Sequence, residues 1–134
     1  MSQLSSLFLQ VVITITSTAS FNNMTCGETL WGYYHNINQI VICSQTLETE
    51  DFDRIKYHEL WHYVYYQKLT TEQQTKWNII SEGSTGFISG NATISREEDF
   101  AETFAYIALW VKGSNNNQVR KKIKFIKQVM KGIR

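Results

Sequence analysis

The stretch from Asp51 to Lys68 contains no glycine or proline and carries two of the chain's three histidines, His58 and His62. Apolar residues recur in it at three- and four-residue steps, which indicates a helix buried over much of its circumference. Residues four apart on a helix face the same way, so both imidazoles can reach one metal ion. Glu59 lies one residue off that line, which suits a general base acting on a metal-bound water. This His-Glu-x-x-His pattern predicts a zinc site, and histidines that are merely packed or exposed are the alternative.

A catalytic zinc site also needs a third protein ligand and an open position for water. The remaining histidine, His35, lies at the polar turn of a hairpin predicted between Leu30 and Cys43, so we expect a solvated loop residue. Carboxylates are the better candidates, and they cluster after Ser95. Ser95 and Glu98 have the spacing of a capping box, which predicts the start of a second helix. Capping does not explain Glu102, because a carboxylate in the middle of an apolar helix normally needs a partner.

The two predicted helices together resemble the gluzincin metallopeptidases, in particular their minimal single-domain members and the lethal-factor protease domain. The resemblance rests on His-Glu-x-x-His followed by Glu-x-x-Ala-Glu at residues 98–102, and it covers roughly Trp31 to Val111. It implies a zinc metalloendopeptidase that binds one Zn²⁺ ion per chain and hydrolyses a peptide or protein substrate, with Glu59 as the general base. It also implies that Glu102 braces a zinc-bound histidine. The metal ligands that it implies are His58, His62 and Glu98.

The chain departs from this family at two positions. Trp61 precedes the second histidine, where the family often has glycine, and we expect a packing variation. Seven residues before the implied third ligand, the lethal-factor type has a tyrosine that stabilises the oxyanion, and Asn91 stands here. Asn91 is therefore the candidate oxyanion donor. The alternative to a peptidase is a weak or inactive zinc-binding module that interacts with a peptide or a nucleic acid.

Length and composition predict one domain spanning residues 1–134. The chain has 134 residues, of which 43% are hydrophobic, enough for a core but not for the second lobe of a larger peptidase. We expect a small zincin-like α+β fold with a short antiparallel sheet, the His-Glu-x-x-His helix and the glutamate-bearing helix. The serine- and glycine-rich segment from Ser81 to Gly90 suits a mobile loop that frames the substrate cleft.

The C-terminal segment is strongly basic. Residues 112–134 contain eight basic residues and no acid, whereas residues 1–111 contain five basic and twelve acidic residues. Apolar residues at helical steps predict a C-terminal helix that docks on the domain, with its lysines on the solvated face. Contact with an acidic partner is the alternative. The absence of an aromatic platform for bases beside the lysines argues against nucleic acid.

The N-terminal segment and the two cysteines bear on cellular location. The segment lacks lysine and arginine, and Val-Ile-Thr-Ile-Thr at residues 12–16 alternates as a half-buried strand does, so we predict a strand rather than a signal peptide. No run approaches the length of a membrane-spanning helix. We therefore expect a cytoplasmic protein, with a secreted protein as the alternative. Reduced thiols are then the expectation for Cys26 and Cys43, although a disulfide also fits.

Overall fold

The computed structural model describes residues 6–110 and 113–133, which form helices and short strands and confirm the predicted α+β class. Three positions in the predicted helices, Val111, Lys112 and Arg134, lie outside these ranges. The strands are β1 (Val12–Thr16), β2 (Ser20–Phe21), β3 (Met24–Thr25), β4 (Gly32–Tyr34) and β5 (Gln39–Cys43). The helices are α1 (Asp51–Tyr63), α2 (Thr71–Ser81), α3 (Arg96–Leu109) and α4 (Asn117–Gly132).

β5 is the central strand of a three-stranded sheet ordered β1-β5-β4. It pairs antiparallel with β4, which confirms the predicted hairpin, and parallel with β1. The sheet is therefore mixed, with a parallel pair in addition to the predicted antiparallel one. Parallel neighbours cannot be joined by a tight turn, so the chain forms the small β2–β3 hairpin and β4 before it returns as β5. This order leaves β4 at one edge of the sheet.

A disulfide and an aromatic stack fasten the β2–β3 hairpin beside β4. Cys26 and Cys43 form a disulfide, so the expectation of reduced thiols is wrong. Hydrophobic patterning could not decide this, because the two cysteines meet only when the chain folds back onto the end of β5. Phe21 of β2 stacks on Tyr33 of β4, with ring centroids 4.6 Å apart. The hairpin is thus tied to the sheet at two points.

α1 and α3 pack against each other through stacked aromatic rings. Trp61 of α1 is fully buried, and its ring centroid lies 3.7 Å from that of Phe104 and 5.7 Å from that of Phe100, both on α3. Trp61 therefore fills the contact between these helices, as expected for a packing variation. Truncating a buried tryptophan to alanine typically costs about 3–5 kcal/mol. This contact is a large part of what sets the separation of the two helices.

The helical segment predicted up to Lys68 ends differently from a plain α-helix, and a further helix follows it. α1 passes into a π-helical turn at Val64–Lys68. α2 then occupies a stretch between the two predicted helices for which no helix was predicted. Its capping box pairs Thr70 with Gln73: the threonine hydroxyl accepts from the Gln73 N–H at 3.1 Å, and the glutamine side chain accepts from the Thr70 N–H at 2.9 Å. That Thr-x-x-Gln signal is visible in the sequence.

α4 docks on the domain by its apolar stripe, as predicted. Val119, Ile123 and Ile126 are buried, whereas Lys121 and Lys124 are exposed. Lys122 is also fully buried, so the expectation that all the lysines face solvent is wrong. Within residues 6–110 and 113–133, none of the helices is long and apolar enough to cross a membrane.

Candidate metal centre

Three potential ligand residues from α1 and α3 meet in a cleft. His58 Nε2 lies 3.0 Å from His62 Nε2 and 2.9 Å from one carboxylate oxygen of Glu98. The other carboxylate oxygen lies 3.0 Å from His62 Nε2. Ligands at about 2.0–2.1 Å from a tetrahedral zinc ion lie roughly 3.3 Å from one another. The three donors therefore have the chemistry, and nearly the spacing, of a zinc site.

The position of Glu98 follows from where α3 begins. The Glu98 N–H donates to Ser95 Oγ at 3.1 Å, which confirms the predicted N-cap. The carboxylate of Glu98 faces the two imidazoles instead of returning to Ser95, so the capping box is incomplete. Burial raises the pKa of Glu98, but hydrogen bonds with His58 and His62 outweigh burial and hold the pKa well below its ordinary value. Glu98 is thus ionised at neutral pH, as a metal ligand must be.

Glu102 lies one turn after Glu98 on α3 and is fully buried. Its Oε2 lies 2.8 Å from His58 Nδ1, and its Oε1 accepts from Ser89 Oγ at 2.9 Å. A proton on Nδ1 leaves His58 Nε2 unprotonated and able to bind a metal. Burial raises the pKa of Glu102, but the hydrogen bonds and the positive charges nearby lower it below its ordinary value. This is the arrangement expected of a carboxylate that orients a ligating histidine.

His58 is the group most affected by the surrounding charges. Burial alone would lower its pKa, but the carboxylates of Glu59, Glu102 and Glu98 together raise the pKa to about 10. Without a metal, His58 therefore carries protons on both ring nitrogens, and a positive charge, at neutral pH. A metal ion that binds here must displace the proton on Nε2.

Glu59 is buried beside the three donors but off the line that joins the histidines. One of its carboxylate oxygens lies within 4.8 Å of the donor nitrogens of His58 and His62. Burial is the largest influence on Glu59 and raises its pKa, while the charges of His58 and His62 lower it. The net shift is upward. A carboxylate with a raised pKa takes up a proton more readily than an ordinary one, which suits a general base.

The cleft that contains these groups has a volume of about 580 Å³. β4 contributes one part of its lining, and the segment just before α3 contributes another. Apart from the candidate ligands, most of the lining is aromatic or apolar. Among these residues are Phe21, Met24, Trp31, Tyr33, Tyr66 and Ile94. Trp31 and Ile94 are exposed, which leaves apolar surface open to a ligand in the cleft.

Asn91 and Tyr66 are two lining residues that can donate a hydrogen bond to a developing oxyanion. Asn91 lies in a short 3₁₀ turn, exposed at the cleft. Tyr66 follows His62 by four residues in the π-helical turn and also lines the cleft. Burial, then the charge of Glu97, raises the pKa of Tyr66, and Glu98 adds to the effect. Tyr34 is less suited, because its hydroxyl donates to the Ile37 carbonyl at 2.6 Å.

Arg54 is a cleft residue that the sequence reasoning missed. Its guanidinium lies 3.5 Å from Glu102 Oε2 and 3.3 Å from Asp51, and its side chain is 20% exposed. The signal was available, because Arg54 precedes His58 by four residues and so faces the same side of α1. His35 is exposed at the end of β4 and is not among the cleft residues, as expected of a solvated loop histidine.

The chain was compared with models of known protein families, with curated proteins and with solved structures, and none of them matches it.

Proposed function

We propose that this protein is a zinc-dependent metallopeptidase. The observation that carries the proposal is the meeting of His58, His62 and Glu98, whose donor atoms lie 2.9–3.0 Å from one another beside a buried Glu59. Two neutral imidazoles and one carboxylate, with room for a water, form the ligand set of a catalytic rather than a structural zinc site.

Zinc bound to these ligands would supply Lewis acidity, lowering the pKa of a water and polarising the carbonyl of the scissile bond. The residues of the chain would do the rest. Glu59 would accept the proton of the attacking water and deliver it to the leaving amine, which its raised pKa favours. Glu102 would hold His58 with its Nε2 toward the ligand position. Asn91 and Tyr66 are the proposed donors to the oxyanion.

An extended peptide is the proposed substrate, and β4 is the proposed docking strand. Trp31 and His35 direct main-chain groups toward β5, with the Cys43 N–H donating to the Trp31 carbonyl at 2.8 Å. Main-chain groups alternate in direction along an antiparallel strand, so those of Gly32 face the open edge. Gly32 also has no room for a side chain, because a Cβ there would lie 2.9 Å from both the Ile55 side chain and the Val41 carbonyl. β4 can therefore lie close against α1 and offer pairing to a substrate strand.

The predicted cytoplasmic location is not part of the proposal. Disulfides persist in oxidising compartments, so the Cys26–Cys43 bond favours a secreted or otherwise extracytoplasmic protein. We propose such a compartment as the site of action. Alkylation of thiols in the purified protein, with and without reductant, tests the disulfide.

The competing proposal is a zinc-binding module that binds peptides without cutting them. Metal content does not separate the two, but turnover does. We expect the wild-type protein to cleave members of a mixed peptide library, detected by mass spectrometry, and to lose this activity with a chelator. Glu59→Gln should bind as much zinc as wild type and cleave nothing measurable. Equal cleavage by wild type and Glu59→Gln, or none by either with zinc bound, would end the peptidase proposal.

A further inference from the structure

Lys122 is a fully buried lysine in a helix whose neighbouring lysines are exposed. Lys121 and Lys124 lie in solvent, whereas Lys122 has no exposed surface. Lysine is almost never fully buried unless it is paired. Its Nζ lies 2.8 Å from Asp99 Oδ2, and Asp99 is also fully buried. The chain thus encloses a complete ion pair away from the cleft.

The buried pair joins four separate segments of the chain. The ammonium of Lys122, on α4, donates to the Gly86 carbonyl at 2.6 Å and lies 4.0 Å from the centre of the Phe87 ring. Asp99, on α3, accepts from Ser81 Oγ at 2.6 Å, and Ser81 is the last residue of α2. We call this group of contacts the Lys122 cluster. It ties α2, α3 and α4 to one another and to residues 82–95 between α2 and α3, which we call the linker.

A second residue of α4 fastens the same linker. Gln118 precedes Lys122 by one helical turn, and its side-chain oxygen accepts from the Thr85 N–H at 2.6 Å and from Ser84 Oγ at 2.9 Å. At Gly86 the linker passes so close to α4 that a Cβ would lie 2.3 Å from the Asn116 side chain. The linker is therefore held by specific contacts and is not the mobile loop that its composition suggests.

The Lys122 cluster bears directly on the candidate metal centre. Asp99 follows Glu98 in the first turn of α3, so the two carboxylates point in different directions from the same rigid backbone. Asp99 is fixed in the core, and Glu98 reaches into the cleft. A few residues further along the linker from Gly86, Ser89 donates to Glu102. Glu98 is thus adjacent in sequence to a residue that contacts α4, and Glu102 accepts from a serine three residues after Gly86, which also contacts α4.

A buried ion pair is weak evidence for stability, because desolvation offsets most of the attraction. Its better-supported use is to select one arrangement among several of similar energy. An apolar pair would fill the same space without fixing the direction of α3 relative to α4. Metal sites need ligands held within fractions of an ångström, which requires support from surrounding residues.

We propose that Lys122 is a positioning residue of the metal centre, which acts through Asp99 and the linker to hold Glu98 and Glu102 in place. The C-terminal helix α4 then helps to position the ligands of the site, in addition to burying apolar residues of the core. This inference rests on the proposed zinc site, but it concerns a residue outside the cleft.

The test compares a buried with an exposed lysine. Lys122→Met keeps the length of the side chain and removes its charge, and Lys121→Met makes the same change in solvent. Because Lys122→Met leaves Asp99 without its partner, the double variant Lys122→Met/Asp99→Asn removes both charges. Zinc affinity is measured by competition with a chelator, the geometry of the site by the visible spectrum of the Co²⁺-loaded protein, and folding by circular dichroism and thermal melting.

We expect Lys121→Met to match wild type in zinc affinity and in the Co²⁺ spectrum. The double variant should remain folded, bind zinc about tenfold more weakly and show an altered Co²⁺ spectrum, at the lower end of the effect of residues that support ligands. A folded double variant with wild-type affinity and spectrum would overturn this inference and leave the zinc site intact. No zinc binding by wild type itself would overturn the proposed function and this inference with it.

A pair of glycine variants provides an independent check. Gly86→Ala pushes the linker away from Asn116 without changing any charge, and a Cβ at Gly90 meets nothing within 4 Å. We expect Gly86→Ala to weaken zinc binding several-fold and Gly90→Ala to leave it unchanged. Unchanged affinity in a folded Gly86→Ala would show that the position of the linker does not matter to the site.

Discussion

The two glutamates of α3 should differ in what their removal does to zinc binding. The carboxylate oxygens of Glu98 lie 2.9–3.0 Å from the Nε2 atoms of His58 and His62, so Glu98→Ala removes one of the three proposed zinc ligands. Of the imidazole nitrogens, Glu102 contacts His58 Nδ1, which lies opposite the nitrogen that faces Glu98, at 2.8 Å. We expect Glu98→Ala to abolish tight binding and Glu102→Ala to weaken it about ten- to a hundredfold, the range for partners of ligating histidines.

The structure also predicts a graded series at Glu102. Hydrogen bonds to charged groups contribute about 1.5–3 kcal/mol, and neutral ones about 0.5–1.5 kcal/mol. Glu102→Gln keeps an acceptor for His58 but loses the charge, so it should cost about 1 kcal/mol, or roughly fivefold in affinity. Glu102→Ala should cost about 1.4–2.7 kcal/mol. Ser89→Ala removes only the hydrogen bond to the other carboxylate oxygen and should change affinity least.

Competition with a chromogenic chelator at fixed pH and salt measures these affinities, and thermal melting of the metal-free variants separates loss of ligation from loss of fold. Stability matters because Glu102 is fully buried, and its removal also takes away one of the two carboxylates that Arg54 contacts. The expected order of dissociation constants is wild type, Ser89→Ala, Glu102→Gln, Glu102→Ala, Glu98→Ala. If Glu102→Ala lost zinc while Glu98→Ala kept it, the ligand would have been placed one helical turn too early.

Three further predictions follow from other parts of the structure. Zinc affinity should rise about tenfold per pH unit between about pH 6 and 8, because His58, with its pKa raised to about 10, releases a proton when the metal binds. Calorimetry in buffers of different ionisation enthalpy measures that proton, and a zinc affinity that does not change with pH would contradict the prediction. Tyr66→Phe should lower turnover about a hundredfold at full zinc occupancy, since Tyr66 lines the cleft one helical turn after His62 and its pKa is raised in part by the charge of Glu98; a larger loss in Asn91→Ala would reverse the assignment. Truncation after Gly113 should lower the free energy of unfolding by several kcal/mol, at about 1.5–3 kcal/mol for each buried aliphatic side chain lost, as measured by thermal or denaturant unfolding. Unchanged stability, with a salt-dependent loss of binding to anionic vesicles or DNA, would instead favour a contact surface.

Local patterns predicted the helices that carry the candidate site. The spacing of His58 and His62 placed both on one face of a helix, and Ser95 indicated the start of α3. Both predictions depend on interactions within a few residues, and these survive in the folded chain. The same kind of signal, at Thr70 and Gln73, marks the start of α2.

Other features depend on residues far apart in the chain. The parallel pairing of β1 with β5, the Cys26–Cys43 disulfide and the stacking of Trp61 on Phe104 follow from how segments cross in space. No periodicity encodes them. The spacing of lysines in α4 likewise indicates a solvated face, and only the position of Asp99 on a neighbouring helix explains a buried one.

The sequence by itself determined the types of candidate ligand and their order on two helices, because side-chain chemistry and helical period are local properties. Tertiary structure decided that the two helices cross where Glu98 meets both histidines, since that depends on the packing of Trp61 against α3. It also decided that Glu102 faces His58 and that β4 borders the cleft. A distance of about 3 Å between groups 36 or more residues apart is a property of the whole core, and no short stretch of sequence contains it.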